Sequence, residues 1–220
     1  MVLLQGNGSL ETLSLNKLGS SCPNGHLECP LPPALLGRAA NKLTKLILDN
    51  LGWTCSVSGE QMEVFFQGIT EDTDLKELVL SSARYVTGVN PAILVSALMK
   101  LEKITFSLTY ITLEQAQALM MAVQGKTILK ELSIYLTSDI KYNIIQILDA
   151  SILAAGINCL EKVQFENVNL DSEQVGMIMS ESLKGTKLQE LKLDRYDKDR
   201  SHLYLPIELL DKIPFTFEFN

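Results

Sequence analysis

Residues 91–106 read PAILVSALMKLEKITF, and the spacing of the apolar residues in this stretch decides the fold. The stretch ends in Leu101, Ile104 and Phe106, which follow the pattern leucine-x-x-leucine-x-leucine with other apolar residues allowed. Successive side chains of a strand point to opposite faces, so this spacing predicts a short strand with apolar residues on its inward face.

The same pattern occurs seven times along the 220 residues, at intervals of 26 to 33 residues. Its occurrences are Leu10/Leu13/Leu15, Leu43/Leu46/Leu48, Leu75/Leu78/Leu80, Leu101/Ile104/Phe106, Leu129/Leu132/Ile134, Leu160/Val163/Phe165 and Leu188/Leu191/Leu193. Stretches of helical period connect these strands. Self-similarity at a fixed period of this length indicates a repeat architecture.

A longer period shows that the repeats alternate between two kinds. Segments starting at Pro33, Pro91 and Ala150 each run ten residues to the next strand pattern, and those patterns are 58 and 59 residues apart. In the other kind, a Ser, Thr or Asp is followed three residues later by Gln, which predicts a helix N-cap with a capping box. These pairs are Ser58/Gln61, Thr112/Gln115 and Asp171/Gln174.

These patterns resemble the leucine-rich-repeat superfamily, and the long helix-bearing repeats are similar to its ribonuclease-inhibitor-like subclass, which includes the sensor ends of NOD-like receptors. The resemblance spans essentially the whole chain. It implies a right-handed α/β solenoid, a horseshoe segment with a concave parallel sheet and convex helices, and it implies protein recognition. One departure is that the family's Asn or Cys, three residues after the last strand leucine, is missing. The positions read Leu18, Leu51, Ala83, Thr109, Thr137, Val168 and Tyr196, so we expect less regular turns there.

We expect residues 1–220 to form a single leucine-rich-repeat domain of seven repeats, closed by a last strand at Phe215–Phe219, where apolar residues alternate strictly. Residues 1–6 align with residues 120–125, so the chain starts inside what resembles the helix of a preceding repeat. Because solenoids need terminal caps, we interpret the chain as N-terminally truncated. The alternative is that this short helix is itself the cap.

Composition excludes several classes of function. The chain has 19 Lys+Arg against 26 Asp+Glu, a net charge of −7, and so lacks the basic surface of a nucleic-acid binder or of a protein attracted to anionic membranes. No apolar run is long enough for a membrane span, and residues 1–6 do not have the basic start that is typical of a signal sequence. Four cysteines are too few for a disulfide scaffold, which favours a cytoplasmic location.

The outward positions of the strands form three rows across the predicted sheet. The first row alternates in charge: Lys45, Glu77, Lys103, Glu131, Lys162 and Glu190. Adjacent strands lie about 4.8 Å apart, and we interpret this row as internal ion pairs that set the order of the repeats rather than as a charged binding stripe. The second row is uncharged until the last repeat: Ser14, Ile47, Val79, Thr105, Ser133, Gln164 and Lys192. The third row consists of Asn16, Asp49, Ser81, Ser107, Tyr135, Glu166 and Asp194.

The candidate partner-binding residues lie on the second and third rows and on the adjacent rim, where apolar residues have acidic neighbours, as in a modest protein interface. They are Ile47, Asp49, Trp53, Val79, Thr105, Tyr135 and Glu166. Tyr135 is the expected anchor, because tyrosine is enriched at binding hot spots. Trp53 lies in a connection four residues longer than its counterparts, so it either reaches a partner from the rim or folds back into the core.

No residue pattern points to catalysis, and we expect no catalytic residue, cofactor or metal. Cys22, His26 and Cys29 supply only three potential zinc ligands, where structural zinc takes four, and we interpret this segment as a long loop. Phosphate-binding glycine motifs are missing. The four arginines match no motif of the family's GTPase-activating branch.

The sequence therefore predicts a non-catalytic protein-recognition module that binds another protein. Fold analogy alone suggests that it is the sensing or adaptor repeat array of an innate-immune-type protein. Two alternatives stay open. The first is an acidic inhibitor of a basic enzyme, whose binding would weaken with salt. The second is a structural spacer that self-associates through the uncapped N-terminal end, at residues 1–4.

Overall fold

The structure is a computed structural model, and it describes residues 10–16, 32–49, 58–82, 84–109, 111–125, 127–135, 148–168, 170–194 and 211–219. The chain divides into two compact units, Met1–Tyr110 and Ile111–Asn220. In both, parallel strands alternate with helices, which confirms the predicted α/β class. The prediction of a single repeat domain stays a prediction.

The first unit contains four described strands that pair in chain order, all parallel. They are β1 (Thr12–Asn16), β2 (Lys45–Asp49), β3 (Glu77–Ser81) and β4 (Lys103–Ser107). The connections hold α1 (Pro33–Ala40), α2 (Gly59–Gln67), a 3₁₀ helix (Arg84–Gly88) and α3 (Pro91–Leu98). Helix α2 packs against α1 on one side and against α3 on the other.

The second unit repeats this arrangement. Its described strands also pair in parallel and in chain order. They are β5 (Glu131–Tyr135), β6 (Lys162–Glu166), β7 (Glu190–Asp194) and β8 (Thr216–Phe219). Helices α4 (Leu113–Ala122), α5 (Ala150–Ile157) and α6 (Ser172–Ser182) pack side by side.

Every predicted strand is present, and the predicted closing strand is β8. From β2 to β7 the two inward residues of each strand are buried, and the first leucine of each pattern, just before the strand, is buried as well. Leu10, which precedes β1, is the exception and is 41% exposed. Burial of one strand face only leaves the other face uncovered by the helices that the structure describes.

The two kinds of repeat differ in how their helices start. Ser58, Thr112 and Asp171 all form the predicted capping boxes, with reciprocal hydrogen bonds to the glutamine three residues later. The helices of the other kind are each eight residues long. Asn90 and Asp149 cap two of them by accepting backbone N–H bonds, whereas Pro32 provides no side-chain cap. The alternation read from the sequence therefore corresponds to a local difference in helix capping and helix length.

Candidate interaction surface

The outward side chains of each unit define its uncovered strand face, and we use that name for these residues alone. In the first unit they come from β1 to β4 at positions 12, 14, 16, 45, 47, 49, 77, 79, 81, 103, 105 and 107. In the second unit they come from β5 to β8 at positions 131, 133, 135, 162, 164, 166, 190, 192, 194, 216 and 218.

The first row of these faces contains ion pairs between neighbouring strands. Lys45 lies opposite Glu77 in the strand register, and its Nζ is 3.0 Å from Glu77 Oε1. In the second unit, Lys162 Nζ is 3.5 Å from Glu190 Oε2. These two pairs fit the interpretation of the row as internal ion pairs. Since exposed pairs of this kind contribute only about 0–1 kcal/mol each, they favour one register rather than adding much stability.

The second row in the first unit is apolar at its centre. Ile47 is in register with Val79, and Val79 is in register with Thr105. All three side chains are half-buried although they point away from the core. Neighbouring strands are about 4.8 Å apart, so the two branched apolar side chains form one continuous patch. The structure thus brings three of the predicted site residues side by side.

The third row places the acidic candidates at the ends of their strands. Asp49 ends β2 and is in register with Ser81. In the second unit Tyr135 ends β5 and is in register with Glu166, which is in register with Asp194. Tyr135 and Glu166 are both half-buried. The predicted residues therefore fall into two groups, one on each unit, and Trp53 lies outside the described residues.

Lys192 is a charged residue whose role the sequence analysis did not recognise. Its Nζ lies 3.0 Å from Glu190 Oε1 on the same strand and 3.0 Å from Glu218 Oε2 on β8. The hydrogen bond from Lys192 lowers the pKa of Glu190, and hydrogen bonds to Glu218 and Glu190 raise the pKa of Lys192. The alternation of Glu190, Lys192 and Glu218 on paired strands was the available signal. Lys192 therefore links β7 to β8 by an ion pair.

Thr109 stands three residues after Phe106, at the position where the resemblance to leucine-rich repeats leads us to expect Asn or Cys. It is fully buried, and its Oγ1 is 2.9 Å from the Leu80 carbonyl oxygen and 3.0 Å from that of Ser107. A threonine hydroxyl thus connects the turn after β4 to the end of β3. The hydroxyl supplies here a hydrogen bond of the kind expected from an amide, because a hydroxyl can also donate to a carbonyl.

Two buried asparagines also form hydrogen bonds between neighbouring repeats, and the sequence patterns had identified neither. Asn41 Nδ2 donates to the Gly68 carbonyl at 2.8 Å, and Asn41 Oδ1 accepts from Thr70 N at 3.1 Å. Asn158 Nδ2 donates to the Ile178 carbonyl at 3.1 Å. Both asparagines stand two residues before the first leucine of a repeat of the same kind. That shared position was the signal, and these contacts are structural rather than part of a binding surface.

Other candidate chemistry finds no further support. Cys22, His26 and Cys29 lie outside the described residues. Across the part of the chain that the structure describes, His, Cys, Asp and Glu side chains form no group of three that could hold a metal ion. None of the helices in the described ranges is long and apolar enough to cross a membrane.

The chain matches no protein-family model, and its sequence matches no curated protein.

Proposed function

We propose that this chain is a non-catalytic protein-recognition module of the leucine-rich-repeat type, a right-handed solenoid segment that binds another protein in the cytoplasm. The uncovered strand faces are the proposed binding surface. The single observation that supports this most is the side-by-side placement of Ile47 and Val79 on the face that the core does not use. Apolar side chains at such positions contribute little to folding and gain from burial against a partner.

The charges around this patch support the same proposal. Lys45 and Glu77, which flank it, are already paired, so a partner does not have to desolvate an isolated charge at the patch, a step that is costly. Thr105 and the two serines at Ser81 and Ser107 offer hydrogen-bonding groups around the apolar centre. An apolar centre with a polar surround is the usual composition of a specific protein interface.

The test is affinity capture from extract of the source cells, with the parent chain and an Ile47→Glu/Val79→Glu variant as baits. The matched control is Val64→Glu, which places a new charge on an exposed residue of α2, 42% exposed. We expect one protein to be captured in near-equal amount by the parent and the control, and about tenfold less by the variant, since a new carboxylate would be buried unpaired.

Two results would contradict the proposal. Capture that is equally strong with all three baits would contradict the assignment of the binding surface to Ile47 and Val79, although protein recognition itself would stand. If only further copies of the chain are retained, recognition by this chain is wrong, and a self-assembling spacer becomes the better explanation. Circular dichroism of each bait establishes beforehand that the substitutions leave the fold intact.

A further inference from the structure

The side-chain amide of Asn158, the residue that follows α5, is bonded at one end only. Asn158 is 7% exposed, and its Nδ2 donates to the carbonyl oxygen of Ala154 at 3.0 Å and to that of Ile178 at 3.1 Å. Its Oδ1 is buried as well, and no group in the described ranges donates a hydrogen bond to it. A buried acceptor without a donor is costly, because it has given up its hydrogen bonds to bulk water.

The two carbonyl contacts fix which end of this amide carries the oxygen. Exchanging Oδ1 and Nδ2 would place an oxygen against two carbonyl oxygens, and none of these three atoms can donate. The exchange would therefore remove both hydrogen bonds that Asn158 Nδ2 makes. Oδ1 is thus the end of the amide that requires a donor.

The equivalent asparagine of the first unit receives such a donor from the backbone. Asn41, like Asn158, stands two residues before the first leucine of its repeat. Its Nδ2 donates to the Gly68 carbonyl at 2.8 Å, and its Oδ1 accepts from Thr70 N at 3.1 Å. Both ends of the Asn41 amide are therefore bonded within the protein, and the two asparagines differ at Oδ1.

The length of the next capping-box helix accounts for this difference. Thr70 stands twelve residues after the N-cap of α2, and Leu183 stands twelve residues after the N-cap of α6. Helix α2 ends three residues before Thr70, so the Thr70 N–H lies outside the helix and reaches the asparagine. Helix α6 continues up to Leu183, whose N–H donates to the Glu181 carbonyl. The N–H at this position is thus used within the end of α6 and does not serve Asn158.

We propose that a single buried water molecule is bound at Asn158 and donates to Oδ1, in the role that the Thr70 N–H has at Asn41. Water suits this site because it is a small neutral donor, and buried waters bond to polar groups that otherwise lack a partner. A metal cation fits less well, because it takes several oxygen ligands, whereas the carbonyl oxygens of Ala154 and Ile178 already accept from Nδ2.

The experiment measures contacts between water and the side-chain amide protons of the ¹⁵N-labelled full chain by NOESY and ROESY. A long-lived bound water gives cross-peaks of opposite sign in the two spectra, whereas proton exchange gives the same sign in both. We expect such a pair of cross-peaks at the Nδ2 protons of Asn158. None is expected at the Nδ2 protons of Asn41, the matched control, because its Oδ1 already accepts from Thr70 N.

Two variants assign the signal to its side chain. Asn158→Met introduces the residue that stands at this position in the repeat of α3, where Met99 precedes the first leucine by two residues. The water cross-peaks should disappear in Asn158→Met and persist in Asn41→Met. A crystal structure supplies a second measurement, in which we expect a water oxygen about 2.8 Å from Asn158 Oδ1.

The inference is wrong if Asn158 shows no such cross-peaks, if Asn41 shows them equally, or if the crystal structure shows a protein group donating to Asn158 Oδ1. Cross-peaks that persist in Asn158→Met would also contradict it. None of these results bears on the proposed function, because the site lies in the contact between α5 and α6 and not on the strand faces.

Discussion

Gly37 in α1 and Gly68, the residue that follows α2, are in direct backbone contact. A Cβ atom on Gly37 would lie 2.3 Å from the Phe65 carbonyl oxygen and 3.0 Å from Gly68 Cα, and a Cβ on Gly68 would lie 2.9 Å from Gly37 Cα. Distances this short require backbone atoms to move. The close approach of α1 and α2 therefore depends on two residues without side chains.

Replacing Gly37 with alanine should destabilise the protein, by about 1–3 kcal/mol in the free energy of unfolding, because the methyl group overpacks the helix contact. Urea denaturation measures the change. Gly176 in α6 is the matched control, since a Cβ there meets nothing within 4 Å, and Gly176→Ala should be neutral or stabilise by up to about 1 kcal/mol. Equal effects of the two substitutions would show that the contact is not as close as described.

The capping boxes predict a graded effect at Thr112. Thr112 Oγ1 accepts from Gln115 N at 3.1 Å, and Gln115 Oε1 accepts from Thr112 N at 2.9 Å. Thr112→Ala should lower the free energy of unfolding by about 1 kcal/mol, because the first turn of α4 loses its acceptor. Thr112→Ser keeps the hydroxyl, and its free energy of unfolding should stay close to that of the parent. Thermal denaturation of the parent and the two variants measures these differences. A serine variant as unstable as the alanine variant would contradict a capping role.

Ser82 follows β3 with φ of 55°, in the left-handed region that disfavours residues with a Cβ. Ser82→Val should lower the free energy of unfolding by about 1–2 kcal/mol, since a β-branched residue is strained there. Ser82→Gly relieves the strain and should be at least as stable as the parent, despite its larger loss of backbone entropy on folding. Chemical denaturation ranks the three proteins, and a valine variant equal to glycine would contradict the assigned conformation.

The cluster of Lys192 with Glu190 and Glu218 predicts how stability changes with pH. Because the pKa of Glu190 is lowered in the folded state, its contribution is present above the unfolded value of about 4.3 and is lost as the pH falls through the folded value. Because the pKa of Lys192 is raised, its contribution is present below about 10.4 and is lost as the pH rises through the folded value. The cluster thus stabilises between these limits.

Melting temperatures from pH 3 to pH 8 test this with Glu190→Gln. We expect the variant to melt below the parent at pH 7 and the difference to shrink below about pH 4.3. In a Lys192→Gln background the same substitution should have a smaller effect, because its main partner is gone. A difference that does not change with pH would mean that Glu190 acts through packing rather than charge.

Much of the fold could be predicted because the same local sequence patterns, the strand alternation and the helix caps, recur from repeat to repeat. The strand at Leu101, Ile104 and Phe106 follows from alternation alone, and the caps at Ser58, Thr112 and Asp171 follow from residue types three positions apart. Once the strands are aligned, the neighbour relation of Ile47 and Val79 follows from register. Ile47 and Val79 could be placed side by side from the sequence alone, because equivalent residues of successive repeats are neighbours in a parallel sheet.

Some features depend on contacts that local sequence patterns do not specify. The amide of Asn41 reaches Gly68 and Thr70, and Gly37 is required to be glycine only because Gly68 lies against it. Likewise, the local sequence does not require Lys192 to form an ion pair with Glu218. That pairing depends on how β8 lies beside β7.

The sequence by itself determined where strands and helices begin, because hydrophobic alternation and capping act over a few residues. Only the tertiary structure decided which helices approach closely, which buried polar groups find partners and which charges on the uncovered faces are neutralised. Those outcomes depend on distances between atoms that are about thirty residues apart in the chain, and packing rather than local preference sets such distances.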